Sequence, residues 1–408
     1  MSSHPLQPVG LKSQAANFQA LPPLSLYIHI PWCVRKCPYC DFNSHEARSA
    51  IPEKEYVAAL VRDIELALPQ IWGRKVYTVF FGGGTPSLLS GAAIGEILRQ
   101  VRLLLPLDLN AEITLEANPG TVEADKFALF RDAGVNRLSL GIQSFNDTHL
   151  RALGRIHSAD EAKRAIEIAQ RHFDNINLDL MYALPQQTLE QALQDVQTAL
   201  QFKPQHLSCY HLTLEPNTLF AHQPPQVPDD DASSEMQQRI EELLAVHGYE
   251  HYETSAFAQP KKRSRHNLNY WQFGDYLGIG AGAHSKLSFH DKVLRQARHK
   301  QPQAYMESVA QNLQVQGEQV LGKDDLAFEF MMNALRLNGG FDEALFQERT
   351  SLPLLLLRRE LEEAEKRGLL LREGGRIAPT EKGQRFLNDL LQIFLAAEDQ
   401  VPDAMPEA

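Results

Sequence analysis

Between residues 24 and 250 the apolar positions follow two alternating rhythms. Short apolar runs, of the kind a strand buried on both faces needs, fall at 24–30, 76–81, 112–117, 137–141, 175–181 and 206–213. Between them apolar residues recur at helical spacing, over 52–68, 91–105, 121–133, 158–171 and 188–200, with a further stretch at 231–247. The first helix is the plainest. Val57, Leu60, Val61, Ile64 and Leu68 share one face, and Pro52 and Glu53 suit its first turn. Thr121 is a good cap for the third.

Six β–α units in succession predict a parallel sheet with right-handed crossovers. A closed barrel needs two more units, so the expected fold class is α/β, an open partial (β/α)6 barrel. Beyond it, 250–258 and 276–282 read as strands around a polar, basic loop, and 301–313 as a connecting helix. From about Lys323 the pattern turns helical, with a stripe through Phe328, Met331, Met332 and Leu335. A helix over 354–368, a hairpin at 369–378 around Gly374-Gly375 and a helix over 380–395 resemble a winged-helix module. The expected organisation is therefore a disordered tail (1–23), the barrel (24–250), a connecting region (251–322), a mostly helical winged-helix-like domain (323–395) and an acidic tail (396–408).

Composition narrows the function classes. Forty basic against 51 acidic residues leave a net charge of −11, which argues against nucleic acid as a partner. No stretch reaches the ~18 apolar residues of a membrane-spanning helix. Residues 1–23 carry one lysine, four prolines and no apolar core, so they do not read as a leader, and a cytoplasmic protein is expected.

The chemistry-bearing residues gather where strands end, which in parallel barrels is where active groups collect. Cys33, Cys37 and Cys40 follow the first strand, in Trp32-Cys33-Val34-Arg35-Lys36-Cys37-Pro38-Tyr39-Cys40-Asp41-Phe42, and the chain has only one other cysteine. An odd number in a 46.0 kDa chain with four thiols argues against a disulfide. Zinc is a rival, with His29 or His45 as a fourth donor, although structural zinc sites pair two hooks and here there is one. An iron–sulfur cluster is preferred, because thiolates hold such clusters and three on a four-iron cube leave one iron open. Cys209, within a strand run, reads as a small buried hydrophobe.

Gly82-Gly83-Gly84-Thr85 follows the second strand; it is neither a phosphate loop nor a dinucleotide fingerprint. It is either a tight turn or a place where a ligand approaches bare backbone. Glu116, Gln143 and Asp179 close the next three strands, and Arg155 follows the fourth; each could bind a ligand or anchor a loop. On a loop farther on, His266-Asn267-Leu268-Asn269-Tyr270-Trp271 offers an axial ligand and rings for a haem, or an aromatic turn over the core. The basic run 261–265 is a solvated loop or a partner for porphyrin carboxylates.

The CxxxCxxC spacing with Tyr39 before its last cysteine resembles the signature of the radical S-adenosylmethionine (SAM) superfamily. With the glycine triplet, 116–120, 141–145, 178–185, 266–271 and 278–284, the chain over 24–390 resembles the HemW family of haem chaperones, relatives of the oxygen-independent coproporphyrinogen III oxidases. The resemblance implies a [4Fe-4S] cluster on Cys33, Cys37 and Cys40. It implies SAM contacts from Tyr27, Tyr39, Gly83, Gly84, Thr85, Glu116, Gln143, Arg155 and Asp179, and haem contacts from His266, Tyr270 and Trp271. Haem, haem-acceptor proteins and an electron donor would be the partners; a homodimer is one admissible state. The oxidases carry a further cysteine where this chain has Phe42. A chaperone that delivers haem is therefore expected, with an oxidase acting on a porphyrinogen as the alternative, and no residue is assigned a catalytic role.

Overall fold

The structure is a computed structural model and describes residues 17–120 and 124–395. Six strands carry the alternation: β1 (Leu24–Ile30), β2 (Val76–Gly83), β3 (Leu107–Ala117), β4 (Arg137–Gln143), β5 (Ile176–Tyr182) and β6 (His206–His211). They pair in parallel and in chain order. On β1, Leu26, Ile28 and Ile30 of one face are wholly buried, and Ser25 and His29 of the other are buried too, as a strand covered on both faces requires. The helices α1 (Glu53–Ile71), α2 (Gly91–Leu104), α3 (Phe127–Ala133), α4 (Ala159–His172) and α5 (Leu189–Gln201) lie between them. Ser90, Ser158 and Thr188 cap α2, α4 and α5 through their side chains. Thr121, the expected cap of the third helix, lies outside the described residues.

The sheet does not stop at six strands. Further strands β7 (Glu250–Glu253), β8 (Ala256–Ala258), β9 (Asp275–Ile279), β10 (His284–Ser288), β11 (Val293–Arg298) and β12 (Val315–Val320) bring it to 12, in the order β12-β11-β10-β9-β1-β2-β3-β4-β5-β6-β8-β7. β9 pairs with β1 in parallel, whereas β10 to β12 and β7 to β8 continue antiparallel at the two edges. Buried charge fixes the β9–β11 edge. Asp275 receives Lys286 and Arg74, each at 2.8 Å, and Arg298 reaches Asp63 of α1 at 3.0 Å. Removing one partner of such a pair typically costs about 3–5 kcal/mol.

The C-terminal part is mostly helical, through Lys323–Ala334, Glu343–Thr350 and Arg358–Lys366, with a small sheet of Phe341–Asp342, Arg376–Pro379 and Leu370–Glu373. The long helix expected over 354–368 begins as a 3₁₀ turn at Leu354–Leu357, and that over 380–395 divides at Phe386 into Glu381–Arg385 and Leu387–Gln392. Phe330, Phe346, Leu361, Ile377 and Leu390 form its core, and Phe18 joins them at 3% exposure. The disordered tail expected over 1–23 is thus corrected for residues 17–23. Phe18 exchanges hydrogen bonds with His290, and the Asn17 amide donates to Ser351 Oγ. Residues 1–16 and the expected acidic tail, 396–408, lie outside the described residues.

Candidate functional site

The loop after β1 is held by backbone before any side chain acts. The amides of Gly84, Thr85 and Ala47 donate to the carbonyls of Ile30, Trp32 and Cys33 at 2.8, 2.7 and 2.9 Å. Gly84 is required there, because a Cβ would stand 2.6 Å from the Trp32 carbonyl oxygen. Each cysteine meets a polar side chain. Thr85 Oγ1 lies 3.5 Å from Cys33 Sγ, Arg155 Nη1 3.6 Å from Cys37 Sγ, and Ser44 Oγ 3.9 Å from Cys40 Sγ. Arg155 also donates to Asn118 Oδ1 and to the Gly141 carbonyl, and Asn118 donates to Thr85 Oγ1, so two of the three cysteine partners belong to one network. Burial raises the Cys33 and Cys40 thiols, with hydrogen bonds to the sulfur opposing it.

The ends of β2 to β6 close a cavity of about 470 Å³ over these cysteines. Tyr39, Gly83, Gly84, Thr85, Glu116, Gln143, Arg155 and Asp179 all line it. Gln143 stands at φ 67°, in the left-handed region, where β4 turns into its loop. Asp179 accepts from Ser139 Oγ at 2.9 Å and from Asn177 Nδ2 at 2.8 Å, while His206 Nδ1 meets Asn177 Oδ1 at 2.6 Å. Burial and the neighbouring Asp179 push Glu116 up to about 8, against the Gly83 amide and Arg137. The floor therefore offers two carboxyl groups that resist ionisation until a cation arrives.

A second cavity of about 1080 Å³ opens beside the first, and both are lined by Cys40, Phe42, Gly83 and Glu116. Its aromatic wall comes from a segment expected to be a loop. Arg265–Trp271 is instead a short helix, α6, with Ser264 accepting from the Asn267 amide as its cap. One turn of helix sets His266 and Tyr270 above one another. Phe80 stacks on the His266 ring at 4.9 Å, and Tyr270 lies 5.3 Å from Trp271. Thr78 Oγ1 donates to Ser25 Oγ and lies 2.8 Å from His266 Nδ1, an arrangement that places the proton on Nδ1 and leaves Nε2 with its lone pair. Burial, then Arg137, pull His266 down to about 3, so it stays neutral near pH 7.

Tyr27 departs from its expected place. It lines the second cavity, not the first, because its hydroxyl bonds His29 Nδ1 at 3.0 Å and its ring stacks on Phe80. His29 Nε2 meets the Asn43 carbonyl at 2.9 Å, so both its nitrogens are engaged, and His45 Nε2 meets the Lys300 carbonyl at 3.2 Å. The zinc alternative thereby loses its readiest fourth donors. Among the described residues no three His, Cys, Asp or Glu side chains converge tightly enough for one metal ion. A cube takes its thiolates at separate irons and does not need that convergence. The run 261–265 faces neither cavity; Arg263 pairs with Glu250 at 3.0 Å and Arg265 donates to the Asn110 carbonyl. Arg137, Asn177, His206 and Thr78 were not anticipated; they sit inside strand runs, where polar positions among apolar ones were the only signal.

With this geometry in place, the chain can be set beside known proteins. The radical SAM superfamily pattern matches residues 27–199, and the HemN C-terminal domain pattern matches 321–386. Heme chaperone HemW of Escherichia coli (strain K12) is 49% identical over 92% of this chain and 99% of its own length. Heme chaperone HemW of Haemophilus influenzae is 46% identical over 93% and 99%. Among solved structures, the coproporphyrinogen III oxidase HemN of Escherichia coli, described as a radical SAM enzyme, superposes with a TM-score of 0.78 at 25% identity, covering 92% of this chain and 90% of that one. The fold, a radical SAM α/β sheet with a helical C-terminal region, is shared with it.

Proposed function

The chain belongs to the HemW heme chaperone family within the radical SAM superfamily, and on that premise we propose that it binds haem in the second cavity and passes it to acceptor proteins. In this reading the first cavity holds a [4Fe-4S] cluster and SAM. The observation that carries it is the contiguity of the cavities. One presents three cysteines and a bare glycine backbone, the other His266, Tyr270 and Trp271, with Phe42 and Glu116 on the border.

Cys33, Cys37 and Cys40 would hold the cluster, and Thr85, Arg155 and Ser44 stabilise their thiolates, as outer partners of metal ligands do. When bound, the cluster supplies an open iron and a transferable electron. Gly83 and Gly84 admit the amino-acid end of SAM, and Glu116 and Asp179 receive its positive charge. Tyr39, Gln143 and Arg155 complete the polar wall. Thr78 orients His266 so that Nε2 can meet a haem iron without competition from a proton near pH 7, and Tyr270 and Trp271 cover a porphyrin face. A cytoplasmic site of action, an electron donor and haem-acceptor proteins as partners belong to the same proposal. Among the described residues no helix is long and apolar enough to cross a membrane.

An oxidase acting on a porphyrinogen is a second reading, favoured by the full polar lining of the first cavity. Phe42 opposes it: 61% exposed on the border, it has no thiol to offer where the oxidases carry one. Anaerobic assay with coproporphyrinogen III and reductant should yield no protoporphyrinogen. The leading reading is tested by equilibrium haem titration of the wild type and His266→Ala. One haem per wild-type chain at low-micromolar protein, with affinity at least tenfold weaker in the variant, supports it. A wild-type protein that gives no stoichiometric Soret change refutes it.

A further inference from the structure

The charged side chains of the second cavity fall into two groups. Its acidic side chains, Asp41, Glu116 and Glu215, all line the first cavity as well, so they stand on the shared border. Its two lysines, Lys36 and Lys300, line the second cavity alone, and His284 accompanies them. Both lysines are exposed, and among the described residues neither ammonium lies within ion-pair distance of a carboxylate. Lys36 Nζ reaches only the Phe42 carbonyl, at 3.3 Å.

The backbone beneath them is fixed. The Lys36 amide donates to Glu46 Oε1 at 3.1 Å, and the Lys300 carbonyl accepts from Asn43 Nδ2 at 2.9 Å and meets His45 Nε2 at 3.2 Å. One loop, that of the three cysteines, thus carries Lys36 and pins Lys300. Gly282 makes this seam possible: at φ +83° it faces Asn43, and a Cβ would lie 2.2 Å from Asn43 Nδ2. The cavity therefore has an apolar, histidine-bearing wall and two lysines along the cysteine-loop seam, Lys36 beside Phe42 at the border and Lys300 held through Asn43.

We infer that the second cavity reads a planar apolar ligand with two carboxylates, and that Lys36 and Lys300 receive those carboxylates. This rests on the haem reading above and deepens it by assigning the propionate contacts. The run 261–265 lines neither cavity, and its arginines are committed to Glu250 and Asn110. Ammonium–carboxylate contacts in a partly enclosed site commonly change affinity by about tenfold.

Haem and haem dimethyl ester, which differ in charge at the carboxyl ends alone, are titrated separately into the full-length protein. The wild type should prefer haem by about tenfold or more. Lys36→Gln and Lys300→Gln should each reduce the preference several-fold, and the double variant should abolish it while keeping the wild-type Soret band shape. That retained band separates a lost carboxylate contact from a lost fold. Equal wild-type affinity for the two molecules overturns the inference and leaves haem binding standing. No Soret response with either molecule overturns the haem reading itself. A preference that survives in the double variant but falls in Lys261→Gln/Lys262→Gln overturns the assignment to these two lysines.

Discussion

The two cavities meet along one border but are built by opposite means. The first is closed by the ends of successive parallel strands, and its polar groups are held by one another: Arg155 by Asn118 and Gly141, Asp179 by Ser139 and Asn177. The second is walled by a two-turn helix, the cysteine loop and the β10–β11 edge, and its one pinned ligand candidate is His266. The first is thus shaped before anything enters it, which suits a resident cofactor. The second is more than twice as large, with exposed Tyr270, Lys36 and Lys300 at its mouth, which suits a cargo that must also leave.

If the cavities are separate in their chemistry, they can be disabled separately. The largest effect is expected from changing Cys33, Cys37 and Cys40 together to Ser. Anaerobically purified protein should lose all iron and visible charge-transfer absorption, yet still show the Soret change on haem addition. Loss of both signals would make the cavities one site. Thr78→Val comes next. Without its partner the His266 ring is no longer oriented, and haem affinity should fall by about tenfold, the lower end for an outer-shell residue. SAM binding by equilibrium dialysis should not change.

Backbone substitutions on the cysteine side probe the shaped cavity. Gly83 stands at φ +113°, and a Cβ there would meet the His29 ring at 2.6 Å; Gly154, at φ +69°, faces Pro38 Cδ at 2.8 Å. Gly83→Ala and Gly154→Ala should each destabilise by about 1–3 kcal/mol in thermal unfolding and reduce iron content. In Gly154→Ala haem affinity should move less than iron content does; Gly83 lines both cavities, so in Gly83→Ala both should fall.

Glu116 gives a smaller effect with a definite sign. It titrates at about 8, because burial and Asp179 disfavour its charge. The folded chain therefore holds a proton that the unfolded chain has already released above the ordinary glutamate range. This contribution is fully present at pH below about 4.3 and is lost as pH rises toward 8. A cation bound beside it favours ionisation, so SAM binding near pH 7 should release a proton and tighten toward pH 8. Calorimetry in buffers of different ionisation enthalpy measures that release, and Glu116→Gln should abolish it.

Much of the parallel half was legible because its strands keep apolar residues at every second position, as Leu24, Leu26, Ile28 and Ile30 do. The β10–β12 edge was not. Val315–Val320 presents almost no buried face, and His284–Ser288 hides Lys286 against Asp275, a pairing that only the tertiary structure supplies. The helix at 265–271 was missed for a different reason. Seven residues with polar side chains at Arg265, His266, Asn267 and Asn269 show no helical period, although Ser264 three residues before Asn267 is a cap signal. At the cysteine side the expected residues, Tyr27 apart, line one cavity because motif order along a β–α chain is also spatial order around the sheet. The lysines of the second cavity come from two distant loops joined through Asn43, and no local pattern announces that.

The most direct test of two neighbouring sites with different occupants is a single sample. Anaerobic, iron-loaded protein saturated with SAM is titrated with haem, following the Soret band and SAM retained on dialysis. One haem and one SAM per chain, with neither displacing the other, is the predicted result. Haem that binds only as SAM leaves would contradict it.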